Sequence, residues 1–256
     1  MRLALSTLGT PSLPLADVVA LARRFGLDGL ELRLHPDTGV HAGLGAADRA
    51  AVRRTLCGLP AFCLSGYVRI CEPGADGPVV DALRADLRLA RDLGADHVRV
   101  FPGGTDVAAG ARRLAALADE APDEGPDDGP TVLVETHDAL PTGAAVAELL
   151  DRAPRAGAIW DLLHPWRHGE APADTLHRLR DRLHCVQLKD APSPACTTPV
   201  PLGTGAVPLD EARRLLDGYD GWVSLEWERT WYPGIPPVED VLPGALDWVA
   251  GRWPAA

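Results

Sequence analysis

The chain has 256 residues, 46% of them hydrophobic, enough to bury a full core even though aromatics make up only 5%. Its formal charge of -11 argues against a phosphate-backbone binder, which needs clustered Lys and Arg. Five Cys, an odd number with no CxxC pair, exclude a disulfide framework and point to a reducing compartment.

In chain order, strands are predicted near 2–6, 28–34, 61–66, 96–101, 131–136, 157–161, 183–189 and 221–227. Helices are predicted between and after them, near 14–25, 46–57, 76–93, 106–119, 141–152, 172–181, 208–217 and 238–252. ALRADLRLARDLGADHVRV shows the logic of one unit: Leu at helical spacing, a stop at Gly94, then a short Val-rich strand. Segment 119–130, DEAPDEGPDDGP, reads as a mobile loop. Eight strands alternating with helices give the count of a single-domain (β/α)8 TIM barrel over residues 1–256. A doubly wound open sheet is the alternative, but no Gly-rich dinucleotide turn follows the first strand. No apolar run reaches the roughly 18 residues that span a membrane. The opening MRLALSTLGTP lacks the long apolar region of a signal peptide. A soluble, cytoplasmic protein without a membrane or nucleic-acid partner is expected.

Side chains alternate across a strand. Val132, Val134, Val186, Leu188, Val223, Leu225 and Trp227 fall on the face toward the helices. The opposite face carries Glu135, His137, Gln187, Lys189, Glu226 and Glu228, with Glu31, Arg33 and Arg99 on the equivalent face of earlier strands. A purely structural barrel interior is filled with branched apolar residues, so these ionisable groups point to a site.

Glu135, Asp161, Gln187 and Glu226 end four successive strands, and a closed barrel gathers such ends around one mouth. With Gln187 bound through its carbonyl they form an all-oxygen set suited to Mg2+ or Mn2+, with Co2+ tolerable. The alternative is rim carboxylates in surface ion pairs. His164, in the D-x-x-H turn after Asp161, is a candidate to hydrogen-bond substrate oxygen, or else a histidine held in a loop. His137 points to the same side as Glu135. Lys189 either stabilises negative charge on an enolate oxygen or pairs with a carboxylate; Asp190 caps or braces its loop. Arg229 and Trp231 line the pocket or the surface. His168, His177 and His184 read as surface or packing residues. The G-T-G of PLGTGAVPLDEA (201–212) lacks phosphate-loop spacing and reads as a turn into a helix with Pro208 in its first turn.

GLDGLELR (26–33), VETHD (134–138), WDLLHPWRHGE (160–170), VQLKDA (186–191), LGTGAVPL (202–209) and SLEWERTWYPGIPPVEDVLP (224–243) together resemble the sugar phosphate isomerase/epimerase superfamily of xylose isomerase-like TIM barrels. The resemblance implies a divalent metal held by Glu135, Asp161, Gln187 and Glu226. Gln187 stands where ketose epimerases usually carry His, a feature shared with 3-dehydroshikimate dehydratases. The reaction implied is isomerisation or epimerisation of a sugar, sugar phosphate or related polyol ketone through an enediolate. Glu135 and Glu226 would be the acid–base pair, His164 and Lys189 would hold the oxyanion, and His137 and Arg229 would contact substrate. A dehydratase of the 3-dehydroshikimate or inosose type, with His164 as acid or base, is the alternative, and a non-catalytic sugar-binding barrel is another. A metal-dependent apurinic endonuclease is disfavoured by the acidic charge. The expected partner is a small sugar-like molecule; a homo-oligomer is compatible with the family, and no residue specifies it.

Overall fold

The computed structural model describes residues 1–118 and 129–252. Eight parallel strands close into a barrel in chain order. They are β1 Arg2–Ser6, β2 Gly29–Arg33, β3 Ala61–Arg69, β4 His97–Phe101, β5 Thr131–Glu135, β6 Gly157–Asp161, β7 Leu183–Leu188 and β8 Trp222–Leu225. β1 pairs with β8 from Arg2 opposite Trp222 to Leu5 opposite Leu225, which leaves no sheet edge and excludes the open-sheet alternative. The surrounding helices are α1 Leu15–Arg24, α2 Ala46–Leu56, α3 Asp76–Leu93, α4 Val107–Ala118, α5 Gly143–Leu150, α6 Leu163–Arg167, α7 Pro172–Leu179, α8 Leu209–Leu215 and α9 Val238–Arg252.

All eight predicted strands are present. β3 runs on to Arg69, beyond its predicted end, and β8 stops at Leu225, so Glu226 lies one residue past it. The short helix α6 was expected only as a turn. Of the acidic segment expected to be a mobile loop, residues 119–128 lie outside the described residues. No helix of the described residues is long and apolar enough to cross a membrane.

The alternation divides the core as the strands require. Val132, Val134, Val186, Leu188, Val223, Leu225 and Trp227 join the main cluster beneath the helices. Ala4, Phe62, Cys63, Leu133, Ile159, Cys185 and Trp222 form a second cluster inside the barrel. Phe62 and Cys63 are neighbours in the chain yet share this interior. The register slips there, with Leu30 opposite Ala61 and Glu31 opposite Cys63, and such a bulge breaks the period of two. Phe62 stacks on Trp222 at 4.5 Å between ring centroids. The apolar plug fills the barrel, and the polar groups sit above it at the C-terminal ends of the strands.

α3 buries Val80, Leu83, Leu89 and Leu93 at helical spacing. Gly94 ends it at φ 76°, its N–H donating to the carbonyls of Ala90 and Arg91. Asp86 breaks the apolar stripe. Its carboxylate packs on Gly66, where a Cβ would lie 2.7 Å from Oδ2. Burial pushes the Asp86 carboxyl up to about 6. Arg113 of α4, fully buried, donates to the carbonyls of Ile70, Glu72 and Gly74 and so pins the loop between β3 and α3.

Candidate active site

Each of the expected oxygen donors follows the barrel's inward alternation. Glu135 ends β5, Asp161 ends β6, Gln187 is the penultimate residue of β7, and Glu226 follows β8. They are 3%, 0%, 0% and 8% exposed, which rules out solvated rim carboxylates. Buried charge needs compensation. Within the chain much of it comes from Lys189, whose Nζ lies 2.8 Å from Asp161 Oδ2 and 2.6 Å from Glu228 Oε1 and pairs also with Glu226 Oε2. Arg99 Nε lies 3.3 Å from Glu135 Oε2.

These contacts set the protonation balance. At Asp161 burial opposes ionisation, but Lys189 and His164 outweigh it and hold the carboxyl below its ordinary range. At Glu226 burial wins over Lys189 and pushes the carboxyl well up; at Glu135 burial also wins, against Arg99. Lys189 is driven toward its neutral form by burial, yet Asp161, Glu226 and Glu228 overcome this and keep it an ammonium. Burial pushes His164 down to about 3, so its imidazole is neutral, with Nε2 3.4 Å from Asp161 Oδ2.

Gln187 is held by residues far away in the chain. Its Nε2 donates to Glu31 Oε1 at 2.9 Å and to Glu226 Oε1 at 3.4 Å. Glu31, fully buried, also accepts from Ser65 Oγ at 2.6 Å. With the amide nitrogen engaged, Gln187 Oε1 is a buried acceptor without a donor, whereas Glu135 Oε2 faces Arg99 and Asp161 Oδ2 faces Lys189 and His164. The donor chemistry of an amide oxygen beside three buried carboxylates suits a hard dication, although Lys189 occupies Asp161 and Glu226, and Glu135, Asp161 and Glu226 are not gathered within 4.8 Å of one another. A second arrangement lies beside it. Glu135, His137 and His164 each bring one ligand atom within 4.8 Å of the others, and no other trio of His, Cys, Asp or Glu among the described residues is so gathered. That mixed set suits a borderline metal such as zinc. Sequence reading assigned His137 and His164 to substrate and did not see them as possible ligands. Their rings lie 4.1 Å apart, and Phe101 lies 4.4 Å from His137.

Asp190 braces its loop as expected. Its carboxylate accepts from the backbone N–H groups of Ala191, Gly203, Gly205 and Val207. A Cβ at Gly205 would lie 2.2 Å from Asp190 Oδ1, so the G-T-G segment needs its second glycine for this approach. Arg229 donates to the Ile235 carbonyl at 3.3 Å and so ties the loop after β8 to itself. Trp231 is 53% exposed and lies beside Arg33, whose guanidinium is 5.3 Å from its ring centroid. Ser65 and Tyr67 were not anticipated, although the alternation that exposed Glu135 also places Ser65 on the inward face.

The sequence profile described as xylose isomerase-like TIM barrel matches residues 19–251. None of the curated proteins matches the sequence. Solved structures that resemble the chain include a probable 3-DHS dehydratase from Bacillus anthracis, 20% identical with a TM-score of 0.76 over 98% of this chain and 100% of that one. The IolI protein with a bound zinc atom is 17% identical, with a TM-score of 0.80 over 100% of both chains. A D-allulose 3-epimerase from Methylomonas sp. in complex with D-allulose is 19% identical, with a TM-score of 0.76 over 99% of this chain and 97% of that one. At these identities the likeness is one of fold.

Proposed function

Since the chain belongs to the xylose isomerase-like TIM barrel family, we propose that it is a divalent-metal-dependent isomerase or epimerase of a sugar, sugar phosphate or related polyol ketone. The observation that carries this reading is the buried, donor-free Oε1 of Gln187 beside the buried carboxylates of Glu135, Asp161 and Glu226 at adjacent strand ends. Glu135, Asp161, Gln187 and Glu226 would hold Mn2+ or Mg2+, with Co2+ as a substitute. The bound ion supplies Lewis acidity that makes a proton next to a carbonyl easier to remove.

The remaining work falls to the chain's own side chains. Glu135 and Glu226 stand at strand ends separated in the barrel by β6 and β7, so they reach a substrate from different sides. One glutamate takes the α-proton. The other returns it from the opposite face, giving an epimer, or to the neighbouring carbon, giving an isomer. Lys189 and the neutral imidazole of His164 donate to the oxyanion that develops. His137 and Arg229 contact substrate from β5 and the loop after β8.

A dehydratase is the second reading, supported by His164 beside Asp161 at 3.4 Å. There the neutral imidazole would itself take the α-proton and, as an imidazolium beside Asp161, return that proton to the departing β-hydroxyl. A non-catalytic sugar-binding barrel is the third. Incubation with ketoses and cyclic keto-polyols in D2O separates enzyme from binder, since either enzyme washes deuterium into the α-position. Glu135→Gln and Glu226→Gln should each cut that exchange by at least ~100-fold, the scale of a positioned acid or base. Near-wild-type exchange in either variant removes that glutamate from the acid–base pair.

A further inference from the structure

The barrel mouth also holds a pair of guanidinium groups that the acid–base chemistry does not use. Arg99, on the inward face of β4, is 6% exposed. Arg99 Nε forms an ion pair with Glu135 Oε2 at 3.3 Å without hydrogen-bond geometry, and its buried Nη1 donates to no acceptor among the described residues. The guanidinium lies over Phe101, 3.7 Å from the ring centroid. Arg33, at the end of β2, is 5% exposed and is held by Tyr67 Oη and by Asp37 Oδ1, each at 2.6 Å. Both guanidiniums flank the Tyr67 ring, at 5.5 Å for Arg33 and 5.7 Å for Arg99. Tyr67 and Trp231, which line this pair, are among the large hydrophobic side chains left exposed in the described residues.

We propose that Arg99 and Arg33 form an oxyanion subsite, so that the substrate carries a carboxylate or phosphate group a few bonds from the carbon that reacts. The inference rests on the acid–base reading of Glu135 and Glu226 and narrows its substrate class. Asp37 balances Arg33 and Glu135 flanks Arg99 Nε, but Arg99 Nη1 is buried without an acceptor, which is costly. An anion supplies that acceptor. The planar fork of a guanidinium held against an aromatic ring leaves its edge free to donate twice to a carboxylate or phosphate. Arg99 adjoins Glu135, so an anion bound there sits within one small molecule's span of the oxygen that takes the proton. A neutral sugar leaves the Arg99 donors unpaired, which makes the same groups a filter against it.

The test measures calorimetric binding of myo-inositol, quinate and myo-inositol 1-phosphate to the full chain with Mn2+. One anionic probe should bind at least about 10-fold more tightly than myo-inositol, the scale of a hydrogen bond to a charged group. Arg33→Gln and Arg99→Gln should each remove most of that preference, and Arg33→Gln should change myo-inositol binding by less than about 2-fold. Circular dichroism checks that the variants fold, and Arg33→Gln leaves Glu135 and its neighbours untouched. A preference for quinate identifies the group as carboxylate; a preference for the phosphate identifies it as phosphate. Equal or absent binding of all the probes, or an anion preference that survives both substitutions, overturns the subsite. Deuterium exchange by the wild type into any ketone, neutral or anionic, then leaves the acid–base reading standing, whereas no exchange into either kind removes that reading separately.

Discussion

Lys189 Nζ lies 2.8 Å from Asp161 Oδ2, inside the ring of carboxylates expected to receive a metal ion. Its ammonium pairs with Glu226 and Glu228 as well, so a dication and Lys189 draw on the same oxygens. Lys189→Met should destabilise the metal-free protein by about 3–5 kcal/mol, because buried carboxylates lose their compensating charge. Mn2+ should raise the melting temperature of this variant by more than it raises that of the wild type. Thermal denaturation with EDTA and with Mn2+ reads both effects; an equal Mn2+ response means that the ion and the ammonium do not share ligands.

Glu31 fixes the Gln187 amide by accepting from its Nε2 at 2.9 Å. Removing that acceptor in Glu31→Leu frees the amide to turn its nitrogen inward. Mn2+ affinity, measured by calorimetry, should fall about 10- to 100-fold, as is usual when an outer partner of a metal ligand is lost. Unchanged affinity would remove Gln187 from the ligand set or Glu31 from its support.

Asp86 makes stability depend on pH. Burial raises its folded pKa to about 6, from 3.8 for an ordinary aspartate. Between those values the native state holds a proton that the unfolded chain has released, so stability falls as pH rises through this window. Asp86→Asn abolishes that loss. It should stabilise the protein at pH 7 on the order of 1–3 kcal/mol and have little effect at pH 4. Urea denaturation at both values tests it; an equal effect at both would mean that the carboxyl does not titrate in this window.

Asp190 gathers backbone donors from Ala191, Gly203, Gly205 and Val207. Asp190→Ala leaves those N–H groups unpaired and should cost about 3 kcal/mol or more. Limited proteolysis should then cut within 201–207 first, and a cleavage pattern like the wild type's would contradict the bracing role.

Much of this site was legible because two rules act locally. Alternation along β5, β6 and β7 places Glu135, Asp161 and Gln187 on the inward face, and barrel closure brings their strand ends to one mouth. What neither rule reaches is pairing across the barrel. Glu31 meets Gln187 over a separation of 156 residues, and nothing near either position signals it. Lys189 read equally well as a group for substrate, because its place among Asp161, Glu226 and Glu228 depends on the tilt and register of β6, β7 and β8. Phe62 defeated the period of two because of the register slip between β2 and β3. Asp86 sits on an apolar helical stripe that predicts a hydrophobic residue there, and only the absence of a side chain at Gly66 makes room for it.

The central claim is that Glu135, Asp161, Gln187 and Glu226 converge on one divalent cation. Calorimetric titration of EDTA-stripped protein with Mn2+ tests it most directly. One saturable site per chain is predicted, retained in His137→Ala and lost in Asp161→Asn. No binding at millimolar Mn2+, or a site lost in His137→Ala and kept in Asp161→Asn, would contradict the account and move the ion to the Glu135, His137 and His164 cluster or out of the mouth altogether.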